Sequence, residues 1–362
     1  MQSYNIGVIG IGVWGCHSLE QTLAANGPGK ITSVCSHDKL GAGLYGGRLE
    51  EEARKYAAKF DAAFHDDWRN VVNDPGIDIV SVMVCPAKKA EIICAALRAG
   101  KHVVTDKPLA MTAEEAEAVC LAEKESGKRG FMLAGYHTRP LVKTLIEAIN
   151  QGELGELKAV SIRLCFMGGI FPGFEPSVRW RNEVPASEMF TIGSHAIVTL
   201  LKLTSGKIRK VYAVRKFDFY ENYHRVNAED WATLNCISDS GLVANIKVGR
   251  IPHRVPGEDI AMEVTGAEGY AQIAGDCLKF YPSGKIIQIP VNGGQVLNDT
   301  FAEYYSCLTD GRPMPTTFQD GLELQNVLAA AIKSADSGKV ETVRHNSSII
   351  MDLKYFQQKS FS

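Results

Sequence analysis

Over residues 1–134 short apolar runs alternate with segments of helical spacing. YNIGVIG (4–10), ITSVCS (31–36), IDIVSVMV (77–84), KHVVT (101–105) and GFMLAG (130–135) are apolar almost without interruption, as strands covered on both faces are. Between them WGCHSLEQTLAAN (14–26), LEEEARKYAAKF (49–60), AEIICAALRAG (90–100) and TAEEAEAVCLAEKESG (112–127) read as helices. Thr112 with Glu115 three residues on forms a capping-box pattern at the start of the last one. Strand and helix in regular alternation predict a doubly wound parallel sheet.

From about residue 150 the pattern changes. ELKAVSIRLCF, KVYAVRKFDF, WATLNCIS, LVANIKVG, AMEVTGAEGYAQIAG, LKFYPS and IIQIP follow one another through turns, many with in-and-out alternation. Helical segments interrupt them near 187–203, 297–310 and 319–337. The expected architecture is α/β: a doubly wound Rossmann-type domain over 1–134, then an α+β domain over 135–362 with an open, mainly antiparallel sheet.

Composition narrows the partners. The chain has 362 residues, 45% hydrophobic and 22% charged, with formal charge -2 and no long basic run. This argues against a nucleic-acid or anionic-membrane partner and for a small, weakly polar ligand. No apolar segment approaches the roughly 20 residues of a membrane span, and MQSYNIGVIG has no signal-peptide pattern, so a cytoplasmic protein is expected. Nine scattered cysteines without a CxxC argue for reduced thiols, and against a disulfide framework or a metal site.

Two motifs carry chemistry. Gly10-Ile11-Gly12-Val13-Trp14-Gly15 is GxGxxG between a strand and a helix. Gly10 permits the tight turn, Gly12 lets backbone approach a pyrophosphate, and Gly15 lets helix and strand pack closely. At the end of the second strand, where NAD-specific proteins place an acid on the ribose, stands Ser36. His37, Lys39 or Arg48 could meet a 2′-phosphate, Asp38 could reach the ribose, and GAGLYGG (41–47) could fold over the adenosine, so NAD and NADP both stay open. The second motif is Asp106-Lys107-Pro108, which ends the strand KHVVT.

These motifs, together with CPAKKAEIICAALRAGKHVVTDKPLA, GYHTRP, INQGELGELKAV and FTIGSHAIVTLLKLTSG, give a chain that resembles the glucose-fructose oxidoreductase and inositol dehydrogenase (Gfo/Idh/MocA) family nearly end to end. The resemblance implies hydride transfer between a secondary hydroxyl and a nicotinamide, with Asp106-Lys107-Pro108 matching the family's EKP motif, whose X-Pro bond is often cis. It implies cofactor contacts at Gly10, Gly12, Val13, Trp14, Ser36 and His37, and further ones at Cys85, Pro86, Asp106, Lys107 and Tyr136.

Where the family reads DxGxHxxD, this chain reads Thr191-Ile192-Gly193-Ser194-His195-Ala196-Ile197-Val198, keeping the histidine and replacing both acids. Residues four apart share a helix face, so loss of an acid at 191 should leave His195 less basic. The family's usual histidine after the fourth strand is Lys89 here, or is missing, and its usual asparagine in the GYNxR-type segment is His137, followed by Arg139. The roles expected are His195 as general acid/base, Lys107 as electrostatic stabiliser and proton relay, and Thr191 as hydrogen-bond partner. Substrate contacts are expected at Thr191, His195, His137, Trp180 and Arg181, with His137 also open as a buried structural histidine.

The aromatic stretch FDFYENYHRVNAEDW, with Tyr220, Tyr223, His224 and Trp231, suits either a sugar ring or an ordinary sheet and interface. Family substrates point to a sugar, cyclic polyol or glycoside, with C3 of a glucosyl unit as the narrowest expectation. Two other readings stay open: a redox-assisted lyase or glycosidase using His137 as an extra base, and a nicotinamide-binding sensor without turnover. The open sheet implies a homo-oligomer.

Overall fold

A computed structural model of the chain describes residues 3–12, 28–36, 49–167, 187–224, 227–253, 260–290 and 293–345. The helix expected over 14–26, Val13, Trp14, Gly15, His37, Asp38, Lys39, the 41–47 segment, Arg48, Trp180 and Arg181 lie outside these residues.

The first part runs β1 (Tyr4–Ile9), β2 (Gly29–Cys35), α1 (Leu49–Lys59), β3 (Ala63–His65), α2 (Trp68–Asn73), β4 (Ile79–Val82), α3 (Pro86–Arg98), β5 (His102–Asp106), α4 (Ala113–Ser126) and β6 (Gly130–Leu133). Its six strands are all parallel, in the order β3-β2-β1-β4-β5-β6. Side chains alternate between two cores, which is why the strand sequences carry few polar positions. Ile9, Val80, Val82, Val103 and Met132 face a core shared with α3 and α4, while Ile6, Val8, Ile79, Val104 and Phe131 face the opposite one. The Thr112 hydroxyl accepts the Glu115 N–H at 3.2 Å, and the Glu115 carboxylate accepts the Met111 N–H at 2.9 Å, one residue earlier than the expected box.

The second part runs α5 (Pro140–Asn150), β7 (Leu157–Met167), α6 (Glu188–Thr191), α7 (Gly193–Thr204), β8 (Ile208–Lys216), α8 (Glu221–His224), β9 (Trp231–Ser238), β10 (Val243–Ile251), β11 (Ile260–Gly266), β12 (Tyr270–Ala274), β13 (Cys277–Tyr281), β14 (Ile286–Gln288), α9 (Gly293–Asp310), α10 (Phe318–Ser337) and β15 (Glu341–Thr342). Nine strands form one sheet, ordered β14-β13-β12-β11-β7-β10-β9-β8-β15. Every pair is antiparallel except β7 with β10, which run parallel. Helix α7 packs on β7 and β10, and α10 lies on β8, α7 and also α4 of the first part.

The other face of this sheet carries a polar row. The Asn245 amide donates to Asn235 across β10 and β9 at 2.9 Å, and Gln272 donates to Glu263 across β12 and β11 at 3.3 Å. Helix α9 goes back to the first sheet and fills its second core with Phe301, Tyr304 and Tyr305. Tyr304 stacks on Phe131 with ring centroids 5.3 Å apart. Burying each such ring contributes about 1.5–3 kcal/mol, so the chain's far end stabilises the domain that opens it.

Candidate active site

The site forms where the carboxyl ends of β1, β4, β5 and β6 meet the start of α7. Gly10 turns the chain after β1 at φ +91°, and a Cβ there would lie 2.5 Å from the Met83 carbonyl oxygen. Gly12 is different, because a Cβ on it would meet no atom of the described residues within 4 Å. Packing against the described residues does not require glycine at 12, and open space beside it is what a pyrophosphate needs. Strand order reverses between β1 and β4, and Pro86 opens the 13-residue α3 directly after β4 with Cys85 as its N-cap. Ligands of doubly wound sheets bind at such a crevice, and these residues fit a dinucleotide. Ser36 is buried, and its hydroxyl oxygen accepts the Ile11 N–H at 3.4 Å, so it braces the glycine turn.

β5 ends at Asp106, followed by a cis Lys107-Pro108 bond. The Lys107 ammonium donates to the backbone carbonyl of Thr191 at 2.5 Å, a contact between the two parts of the chain. Beneath it lies a second lysine. Lys89 is 1% exposed, forms an ion pair with the Asp106 carboxylate, and reaches the carbonyls of Asp106 at 2.8 Å, Pro108 at 3.2 Å and Lys107 at 3.4 Å. An ammonium has three N–H groups, and here they are shared over the backbone that presents Lys107.

Sequence reasoning noted Lys89 only as a replaced histidine, although a signal for its burial was present. Positions 89, 92, 93, 96 and 97 form one helical stripe, and its other four members are the buried Ile92, Ile93, Ala96 and Leu97.

His195 sits in the first turn of α7. Its Nδ1 accepts the Gly135 N–H at 3.1 Å. The next amide, Tyr136 N–H, donates to the Thr199 hydroxyl at 2.7 Å, and that hydroxyl donates to the His195 carbonyl at 2.8 Å. Burial, then the Lys107 ammonium, Arg139 and His137, hold His195 well below an ordinary histidine in basicity. The expectation of a less basic His195 agrees with this direction. The Tyr136 ring centroid lies 5.3 Å from that of His195 and 4.1 Å from the Arg139 guanidinium.

The turn that delivers His195 rests on a buried polar base. The Ser187 hydroxyl caps α6 by accepting the Phe190 N–H at 3.0 Å. Glu188 accepts from Tyr223 at 2.5 Å and from Arg250 at 3.0 Å, while Glu229 accepts the Met189 N–H at 2.9 Å. Burial pushes the Glu229 carboxyl up to about 7.

Lys107, Thr191, His195, Asp106 and Tyr136 are therefore brought together, with Cys85, Pro86, Gly10 and Gly12 along the adjoining crevice. Thr191 meets Lys107 through its backbone carbonyl rather than its hydroxyl. His137 is buried, with Nε2 3.1 Å from the Pro315 carbonyl and 3.1 Å from the Thr316 hydroxyl, and burial lowers its pKa to about 4. That is the environment of a histidine tying two loops together. Tyr223 is likewise buried on Glu188.

The description "Oxidoreductase family, NAD-binding Rossmann fold" (GFO_IDH_MocA) matches residues 4–134, and the "GFO/IDH/MocA C-terminal domain" matches residues 142–272. A scyllo-inositol 2-dehydrogenase (NADP(+)) of Bacillus subtilis (strain 168) is 24% identical over 82% of this chain and 87% of its own length. A levoglucosan dehydrogenase of Pseudarthrobacter phenanthrenivorans is 27% identical over 59% of this chain and 54% of its own. A solved levoglucosan dehydrogenase in complex with NADH has the same fold, with TM-score 0.80 and 21% identity over 95% of this chain and 100% of that one.

Proposed function

Because the chain belongs to the GFO/IDH/MocA oxidoreductase family, we propose that it is an NAD(P)-dependent dehydrogenase acting on a secondary hydroxyl of a sugar, cyclic polyol or glycoside. The observation that carries this reading is the 2.5 Å contact between Lys107, at the rim of the dinucleotide crevice, and Thr191, one turn before His195. A cation and an imidazole beside that crevice are the groups needed to hold a carbinol oxygen and manage its proton. NAD or NADP, when bound, supplies the hydride acceptor or donor.

The named relatives, an inositol dehydrogenase and a levoglucosan dehydrogenase, support polyols and sugars as the substrate class. Trp180 and Arg181 belong to this reading as substrate contacts, and Val13, Trp14 and His37 as cofactor contacts. The lyase reading is less supported, because its extra base would be His137, whose Nε2 lies on the Pro315 carbonyl. Incubation with a panel of polyols, sugars and glycosides plus NAD or NADP tests the proposal: a keto product with stoichiometric NAD(P)H is expected. Lys107→Ala should abolish it while the protein stays folded by circular dichroism; full activity in that variant overturns the assignment.

The free thiols of the described cysteines support a reducing, cytoplasmic setting. The sheet face that no described helix covers supports a homo-oligomer, since Ile237 and Val243 stand on it 42% and 51% exposed beside the polar row. Light scattering on a charge-bearing variant, Val243→Glu, tests this: a shift to monomer is expected.

A further inference from the structure

The His195 ring is held the opposite way round from a histidine poised as a base. Nδ1 takes the Gly135 N–H at 3.1 Å, so the one proton of the neutral ring sits on Nε2. Adding a proton at Nδ1 would set two N–H groups against each other. The Gly135 amide cannot readily turn away, because the neighbouring Tyr136 N–H is fixed on Thr199, which is itself fixed on the His195 carbonyl. Gly135 has φ +81°, and a Cβ there would lie 2.4 Å from His137 Nδ1, so this close approach needs glycine. Among the described residues, the ionisable groups facing the ring are Lys107, Arg139 and His137, with no carboxylate among them.

We propose that His195 works as a neutral Nε2–H donor to the substrate oxygen and that Lys107 is the group that exchanges the proton. Two N–H donors then converge on one oxygen, the arrangement that polarises a carbonyl for reduction. In that direction a reduced nicotinamide, when bound, would supply the hydride that the carbonyl carbon takes up. The carbonyl π-electron pair moves onto oxygen, which takes a proton from the Lys107 ammonium and leaves a neutral amine. Oxidation is the reverse, with the hydroxyl proton passing to the Lys107 amine, and an oxidised nicotinamide, when bound, would take up the hydride. His195 keeps its proton throughout.

The catalytic half of this inference rests on the dehydrogenase reading; the state of the ring does not. Whole protein labelled with ¹⁵N-histidine, with the His195 signals assigned by their loss in His195→Gln, should show a neutral Nε2–H ring with Nδ1 as acceptor on both sides of the ordinary histidine value of about 6.5. An Nδ1–H tautomer, or protonation near the ordinary histidine value of about 6.5, overturns it.

Kinetics supply the second arm. Gln can present an N–H near the Nε2 position yet cannot take up a proton. His195→Gln should therefore keep about a tenth or more of kcat/KM for reduction, with its pH limb unmoved, while His195→Leu falls by roughly 10²–10³-fold. Equal loss in both variants, or a limb that vanishes in His195→Gln, sinks the donor role. Wild-type protein silent on every carbonyl and alcohol of the panel, with the ring still Nε2–H, rejects the dehydrogenase reading and with it the catalytic role, leaving only the ring geometry.

Discussion

Replacing Lys89 by Met keeps the length and apolar stem of the side chain and removes only the ammonium. The nitrogen is fully buried and contacts the Asp106 carboxylate plus the carbonyls of Asp106 at 2.8 Å and Pro108 at 3.2 Å. Breaking a buried pair by deleting one partner costs about 3–5 kcal/mol. Asp106 is 27% exposed, so water reaches part of its carboxylate and the lower end applies, about 3 kcal/mol. For a chain of this size that corresponds to a fall in Tm of roughly 4 °C.

The loop that loses its anchor carries Lys107, so kcat should fall as well, because a misplacement of about 1 Å can cost on the order of 10² in rate. Lys89→Met with Asp106→Asn removes both charges, and the pair should be about 1–2 kcal/mol more stable than Lys89→Met alone while staying slow. Thermal melts and urea titrations of the three proteins, alongside turnover, check this. A Lys89→Met protein that melts within 1 °C of wild type and turns over normally would refute the anchoring argument.

Other substitutions test separate parts of the site. Thr191→Ala should change kcat less than about threefold, since Lys107 is held by the residue 191 carbonyl and not by its hydroxyl; a loss above tenfold would restore a role for the hydroxyl. Gly12→Val should fold with unchanged Tm, because a Cβ at 12 meets no atom of the described residues, but should weaken NAD(P) binding in calorimetry by more than about tenfold. Glu229 has a folded pKa near 7, above the unfolded value near 4.5, so its contribution to stability is fully present below about 4.5 and is lost as pH rises through 7. Glu229→Gln, whose oxygen can still accept the Met189 N–H, should match wild type in urea at pH 5 and exceed it by about 2 kcal/mol at pH 8; an equal gap at both pH values contradicts a buried neutral carboxyl.

The doubly wound sheet was legible because strands covered on both faces leave no polar positions, as Ile6, Val8 and Ile9 do in β1. The second sheet was legible from alternation, as in WATLNCIS, whose burial alternates residue by residue. The parallel β7–β10 pair was not, since both strands have an ordinary period of two and pairing direction leaves no local trace. Helix α5 received no assignment, although Leu141, Val142, Leu145 and Ala148 form its buried stripe. Strand β3 has three residues, too few for a period to register. Helix α9 was expected, but periodicity names a helix's apolar face and not its partner, so its return to the first sheet was invisible. Lys107 and His195 could be found by motif. The state of His195 could not, because it depends on a backbone amide 60 residues away.

The departures from the family pattern fall into two physically connected pairs. Asp106 stands where the family has Glu, and Lys89 falls in the segment that usually supplies a His; in the fold these two meet in one buried ion pair. A carboxylate one methylene shorter is matched by a longer cation rising from α3, so the backbone of residues 106–108 is held from below. Thr191 and Val198 stand where the family has acids. Val198 is fully buried, and its methyl would lie 3.0 Å from a Cβ on Gly135, so a carboxylate at 198 would be enclosed in apolar surroundings. With valine there and Gly135 closing on the helix, the backbone N–H takes the Nδ1 position that an acid would otherwise have turned into a donor. On the proposed reading the ring keeps its orientation with Nδ1 as acceptor, and proton exchange falls to Lys107.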